Sequence, residues 1–202
     1  MIHRIVVGPI ETNCYVVFDN EKKGVVIDPG AEPNKIRSFI EQKAISVISI
    51  INTHAHYDHI GANADLQKLW NVPVLIRSED APMFHLDWSR VFGVPLKIEP
   101  PKTVELVDDK AKIMVNTLEF QIIHTPGHSP GGISLYLTND DVLFSGDTLF
   151  CDGIGRTDFV NGSYPLIKKS LDTLFSIFPD TTRVLPGHGP ETTIGRERRH
   201  EW

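Results

Sequence analysis

Residues 48–59 read ISIINTHAHYDH, an apolar run that ends in a dense polar cluster of His54, His56, Asp58 and His59. The apolar part predicts a strand over residues 45–51, continuous enough in character to be buried on both sides. In an extended chain residues 54, 56 and 58 point to the same side, while residue 59 points elsewhere, toward a second position nearby. Neutral imidazole and carboxylate donors suit zinc, iron or manganese, and no thiolate joins them in this segment. Structural zinc sites are mostly thiolate-rich and closed, so a His/Asp set points to a metal that keeps a position for water.

The same arrangement, an apolar run closing on a glycine- or histidine-bearing turn, recurs three times. FQIIHTPGHSPGG (120–132) carries His128, DVLFSGDTLF (141–150) carries Asp147, and RVLPGHGPETT (183–193) carries His188. Loops at strand ends are where rigid scaffolds usually hold functional side chains, so the recurrence predicts four loops directed to one place. Five histidines and two aspartates are enough donors for two metals. One grouping puts His54, His56 and His128 on the first metal and Asp58, His59 and His188 on the second, with Asp147 bridging. A hydroxide held between two such cations is a nucleophile at neutral pH.

The rest of the chain is consistent with a single domain over 1–202. Strands are expected at 2–7, 13–18, 24–27, 74–76, 103–107, 112–115, 117–123, 133–137, 142–144 and 183–185, and helices at 34–43, 61–70, from about 79, and 164–178. Residues 90–103, rich in proline, read as irregular connection. Sheet-rich halves, each followed by helices, suggest two packed sheets with helices outside. The formal charge of −6 leaves no basic footprint for nucleic acid or an anionic membrane. No apolar run is long enough to span a bilayer, and the N-terminal residues lack the apolar core of a signal peptide, so a cytoplasmic location is expected. The two cysteines, Cys14 and Cys151, form no disulfide framework and read as core or near-core thiols. Asp28, at the end of the third strand, is a candidate partner for a ligand histidine. Arg156 and Asp158 are candidates for a pocket floor or for pairing with each other. His124 reads as a sheet residue, and the arginines near the C-terminus as a solvated charged tail.

Taken together, THAHYDH (53–59), TPGHSPG (125–131), SGDTLF (145–150) and PGHGP (186–190) resemble, in content and order, the motifs of the metallo-β-lactamase superfamily. The resemblance runs over essentially the whole chain and implies an α+β fold, a four-layer αββα sandwich, with a binuclear site at one edge of the two sheets. It implies the ligand grouping given above, residue by residue. GRTDF (155–159) and GHGPETTIGRE (187–197) further resemble the compact glyoxalase II-like hydrolases of that superfamily. True lactamases place a cysteine on the second metal where this chain has Asp147. Flavodiiron enzymes carry glutamate where this chain has His56.

What the resemblance implies is a metal-dependent hydrolase with two divalent ions, zinc in first place and iron or manganese compatible. Its expected substrate is a small acyl thioester, opened by a metal-bridging hydroxide with Asp58 as the proton acceptor, and neither nucleic acid nor a membrane is an expected partner. The segment after His188 is too short for the helical domain with which full-length glyoxalase II enzymes contact glutathione, so the thiol is not specified. An iron-dependent persulfide dioxygenase and a lactonase are the alternative activities on the same ligand set.

Overall fold

The computed structural model describes residues 1–93, 96–109, 111–159 and 161–202, and the chain divides into two compact units at Val107 and Asp108. The first unit is a six-stranded mixed sheet in the order β1-β2-β3-β4-β5-β6, formed by Ile2–Val7, Thr12–Phe18, Lys23–Ile27, Ser46–Ile51, Val74–Arg77 and Val104–Val107. β1, β2 and β3 are an antiparallel meander; β3, β4, β5 and β6 run parallel. Parallel neighbours need crossovers, and helices supply them. Helix α1 (Pro33–Lys43) joins β3 to β4; α2 (Tyr57–Ile60) and α3 (Asn63–Trp70) join β4 to β5. Pro33 suits the first turn of α1, where its missing N–H would find no partner, and Ile36 and Ile40 are the buried stripe.

β2 is buried along all its residues because a strand covers it on either side and the chain packs on both faces. β4 differs from the expectation of complete burial. Ile50 and Ile51 are fully buried, yet Ile48 is 42% exposed and Ser46 is exposed. Only the end that leads into the histidine segment is covered on both faces. The helix expected near 61–70 is present as α3 and begins at Asn63, two residues after Gly61, where a Cβ would lie 2.3 Å from the Gly30 carbonyl oxygen. The Ala62 N–H also donates to Pro29 O at 2.9 Å, so the turn of residues 28–30 is locked against the α2–α3 junction. The segment expected to begin a helix near residue 79 forms a 3-10 turn (Ala81–His85) and then helix α4 (Trp88–Phe92), which reaches into the region expected to be irregular. Of that region, Val94 and Pro95 lie outside the described residues.

The second unit holds a six-stranded sheet in the order β14-β13-β10-β9-β8-β7. Its strands are β7 (Lys112–Val115), β8 (Leu118–His124), β9 (Ile133–Leu137), β10 (Val142–Gly146), β13 (Arg183–Pro186) and β14 (Thr192–Thr193). A two-stranded hairpin, β11 (Leu149–Phe150) and β12 (Gly153–Ile154), is a separate small sheet, with β11 lying against β13. β7, β8, β9 and β10 are antiparallel neighbours; β10 and β13 are parallel, connected through helix α5 (Tyr164–Ile177). Ile167, Ser170, Leu171 and Leu174 form the buried face of α5 at the 3–4 residue spacing of a helix. Leu171 and Leu174 pack in a cluster with Leu143, Val184 and Ile194.

The C-terminal segment is not the solvated tail its charge suggests. Residues Ile194–Glu197 form a short helix, α6, and Arg198 donates to the carbonyls of Phe175 and Phe178 at 2.6 and 2.7 Å. Among the described residues, no helix is long and apolar enough to cross a membrane.

Candidate metal centre

In the first unit the ligand-type side chains lie where β4 ends. Asn52, Thr53 and His54 leave the strand, and His56 is still extended, with φ −68° and ψ 149°. The chain then turns into α2, so Asp58 sits in a helical turn rather than in line with His54 and His56. His54, His56 and His59 are all buried. The His54 ring lies 4.7 Å from that of His56 and 4.1 Å from that of His59, centroid to centroid. His56 also meets the indole of Trp88 edge-on at 5.9 Å.

One carboxylate organises this cluster. Asp28, 2% exposed at the end of β3, has φ +50°, a left-handed conformation that its side chain's contacts hold in place. Its Oδ1 accepts from the Thr53 N–H at 2.8 Å. Its Oδ2 accepts from the Thr53 hydroxyl at 2.6 Å and lies 3.0 Å from His59 Nδ1. An ionised carboxylate only accepts, so the His59 proton sits on Nδ1 and the Nε2 lone pair is turned outward. The same reasoning extends to His54. The single hydroxyl proton of Thr53 is given to Asp28, so at 3.1 Å the hydroxyl oxygen accepts from His54 Nδ1. His54 therefore also presents Nε2.

Asp58 Oδ2 lies 3.2 Å from His59 Nε2 and accepts from the Thr12 hydroxyl at 3.1 Å. The Asp58 backbone is fixed by Gly30, since a Cβ at that glycine would stand 1.4 Å from the Asp58 carbonyl oxygen. Several positioning residues carry no motif of their own. Asn52 donates to the His59 carbonyl at 3.0 Å, and the buried Asp80 accepts from the Ala55 N–H at 3.1 Å. Their partners are close in space and separated along the chain, which no spacing pattern encodes.

In the second unit, three of the glycine-bearing loops bring His128, Asp147 and His188 together. The parallel pairing of β10 with β13 sets Gly146 opposite Pro186, so the residues just beyond, Asp147 and His188, emerge side by side. Asp147 Oδ2 lies 3.4 Å from His128 Nε2 and 3.7 Å from His188 Nε2. The loop carrying His128 is tied to α5 by Ser163 N–H to Gly127 O at 2.7 Å and Ser170 Oγ to Pro126 O at 2.7 Å. His128 Nδ1 contacts the Arg156 carbonyl at 2.8 Å, and a carbonyl can only accept, so His128 too offers Nε2. Arg156 thus bears on a candidate ligand histidine through its main chain. Its side chain forks onto Asp158 with two contacts of 2.7 Å and lies over the Phe159 ring at 3.8 Å, largely exposed.

His124 ends β8 and its Nε2 reaches Pro130 O at 3.0 Å. Cys14 is fully buried, and that burial pushes its thiol far above the usual range. A thiol so held is not a nucleophile.

These donors fit a divalent cation. The Asp147–histidine separations exceed an N–H···O hydrogen bond, which spans about 2.7–3.2 Å. They lie close to the roughly 3.3–3.6 Å edge expected between tetrahedral ligands that each lie about 2.0–2.2 Å from one ion. Imidazole lone pairs turned toward carboxylate oxygens repel each other until a positive charge stands between them.

The metallo-β-lactamase superfamily matches residues 7–190. A probable metallo-hydrolase, YqgX of Bacillus subtilis, is 34% identical over 199 residues, covering 96% of this chain and 93% of that protein. Hydroxyacylglutathione hydrolase GloC of Haemophilus influenzae is 34% identical over 202 residues, covering 98% and 95%. Among solved structures, BLEG-1 B3 metallo-β-lactamase superposes with a TM-score of 0.92 at 36% identity, covering 99% of this chain and 97% of that one. TTHA1623 in a di-iron-bound form superposes with a TM-score of 0.89 at 36% identity, covering 98% and 97%. By sequence and by fold, the chain belongs to the metallo-β-lactamase superfamily of metal-dependent hydrolases.

Proposed function

We propose that this protein is a binuclear hydrolase of acyl thioesters, with a hydroxyacyl thiol as its substrate class. His54, His56 and His128 are assigned to one divalent ion, Asp58, His59 and His188 to the other, and Asp147 to both. The observation that carries the reading is the fixing of three histidines at Nδ1, by Asp28, Thr53 and the Arg156 carbonyl, so that each offers Nε2 to a cation. The relation to GloC supports the thioester as substrate, and the His/Asp donors without sulfur suit a hard, hydrolytic centre.

When bound, the ions supply a water acidified enough to attack at neutral pH and positive charge for the acyl oxygen as it becomes anionic. The chain's own part is to orient and to move a proton. Asp58, held by the Thr12 hydroxyl, accepts the proton of the attacking water. The departing thiolate, of a thiol with pKa about 8.5, needs no dedicated acid. Arg156 and Asp158 are proposed to border the acyl-thiol pocket.

The test is to load the purified protein with zinc, iron or manganese in turn and to follow both thioester loss and oxygen uptake. Two ions per chain with turnover of a hydroxyacyl thioester is the expected result. One iron per chain, with oxygen consumed on a persulfide and no thioester cleavage, overturns the proposal.

A further inference from the structure

The three candidate ligands of the second unit share one neighbour, the β11–β12 hairpin, and a different part of it touches each. Gly155, the residue after β12, stands so close to two of them that an added Cβ would lie 1.8 Å from the Asp147 carbonyl oxygen and 3.1 Å from His128 Cβ. The carbonyl of the next residue, Arg156, accepts from His128 Nδ1 at 2.8 Å. Phe150, on β11, meets the His188 ring edge-on at 6.2 Å. Two strands of two residues each supply few hydrogen bonds of their own, so the position of this hairpin is set from outside.

That support meets the hairpin at its turn, residues 151–152. Asp152 has φ +57°, a left-handed conformation, and its N–H donates to Glu197 Oε2 at 3.1 Å. Glu197 Oε1 accepts from the Thr192 hydroxyl at 2.5 Å. Glu197 lies on α6 and is fully buried. A carboxylate is withdrawn from water at little cost only where its oxygens are bonded, and here one is bonded to the hairpin turn and the other to β14. Arg196 also contacts Asp152, but both side chains are exposed, where an ion pair contributes little.

We propose that Glu197 is a positioning residue for the hydrolytic centre, an inference that rests on the ligand assignment proposed above. From α6 it fixes the turn of the hairpin, and the hairpin fixes His128, Asp147 and His188. Glu197 itself touches neither substrate nor ion. Without its carboxylate the Asp152 N–H loses its acceptor, the turn is released, and the Arg156 carbonyl withdraws from His128. The imidazole then divides its proton between its two nitrogens, and Nε2 is no longer reserved for a cation. Glutamine preserves the tie: its amide oxygen still accepts from the Asp152 N–H, and the Thr192 hydroxyl can turn to accept from the amide nitrogen.

The test compares the full chain with Glu197→Ala, Glu197→Gln and Ile36→Ala. Ile36 is buried in the apolar cluster of the first unit, so its truncation lowers stability without removing a contact of the hairpin. Nitrogen NMR of the metal-free protein reads the His128 tautomer, chelator competition reads zinc affinity, and thermal unfolding reads stability. In Glu197→Ala the His128 proton is no longer confined to Nδ1 and zinc affinity falls about tenfold. Glu197→Gln stays close to the parent in both, and Ile36→Ala melts lower with the parent's tautomer and affinity. A Glu197→Ala protein that keeps the proton on Nδ1 and binds zinc as the parent does overturns the proposal. So does an equal loss in Glu197→Gln, or the same loss in Ile36→Ala. Thr192→Val, which removes only the hydroxyl at Oε1, shifts the tautomer and the affinity in the same direction by less; its failure to do so overturns the proposal even where Glu197→Ala does not fold. Tautomer and affinity are both read without substrate, so absence of thioester turnover refutes the proposed function and leaves the positioning role standing.

Discussion

Replacing Asp28 by asparagine changes one oxygen to nitrogen and reaches the ligand histidines through the hydrogen bonds of that atom. In the Asp28→Asn variant the amide oxygen retains the Thr53 N–H, which in the parent stands 2.8 Å from Asp28 Oδ1. The amide nitrogen then occupies the Oδ2 position and faces two donors, the Thr53 hydroxyl at 2.6 Å and His59 Nδ1 at 3.0 Å. The hydroxyl can rotate and accept. The imidazole has one cheap answer, moving its proton to Nε2, where Asp58 Oδ2 at 3.2 Å can receive it. That relieves the stranded donor, whose burial would otherwise cost about 1–3 kcal/mol, but it blocks the nitrogen assigned to the metal. Loss of an outer partner of a ligand histidine typically weakens metal binding about 10–100-fold, or roughly 1.4–2.7 kcal/mol. Metal affinity should therefore fall by that factor while the metal-free protein loses about 1 kcal/mol or less, the cost of one exchanged hydrogen bond. Competitive titration against a chelator, thermal unfolding of the metal-free protein, and nitrogen NMR of the His59 tautomer measure the three quantities. Affinity within twofold of the parent, with the proton still on Nδ1, would refute the reasoning.

Two further outcomes are expected. Gly30→Ala places a Cβ against the Asp58 carbonyl, with 1.4 Å available, so the α2 turn must shift; about 3 kcal/mol of stability and part of the bound metal should be lost, and unchanged melting with full metal content would contradict it. The Arg77 guanidinium grips Glu79 through contacts of 3.0 and 2.8 Å and holds its carboxyl down at about 2. Because the folded value lies below the unfolded one, the contribution of this pair is present above the ordinary carboxylate range and is lost as pH falls from there toward 2. Carboxylate NMR should show Glu79 ionised at about pH 3, and Arg77→Gln should return it to about 4.3; a Glu79 titrating normally in the parent would exclude the grip.

The sequence by itself marked the candidate metal donors and most of the elements. Histidine and aspartate at the ends of apolar runs are legible because ligand identity and strand periodicity are local properties. Short pieces escaped: β11, β12 and β14 are two residues each and α6 is four, too few for a period to register. The separate short α2 before Gly61 and the exposed start of β4 escaped as well, because both depend on what packs against them rather than on their own residues.

Only the tertiary structure decided how the ligands are held. Asp28 reads in sequence as a turn residue and a candidate partner for some histidine, but Thr53, which it binds, is 25 positions away and His59 is 31. Asp80 reaches Ala55 from 25 positions away, and Glu197 reaches Asp152 from 45. The identity of a metal donor is written in one residue. The tautomer that makes it a donor depends on a hydrogen bond from a different part of the chain, and that bond exists only once the sheets, crossovers and turns have brought the two together.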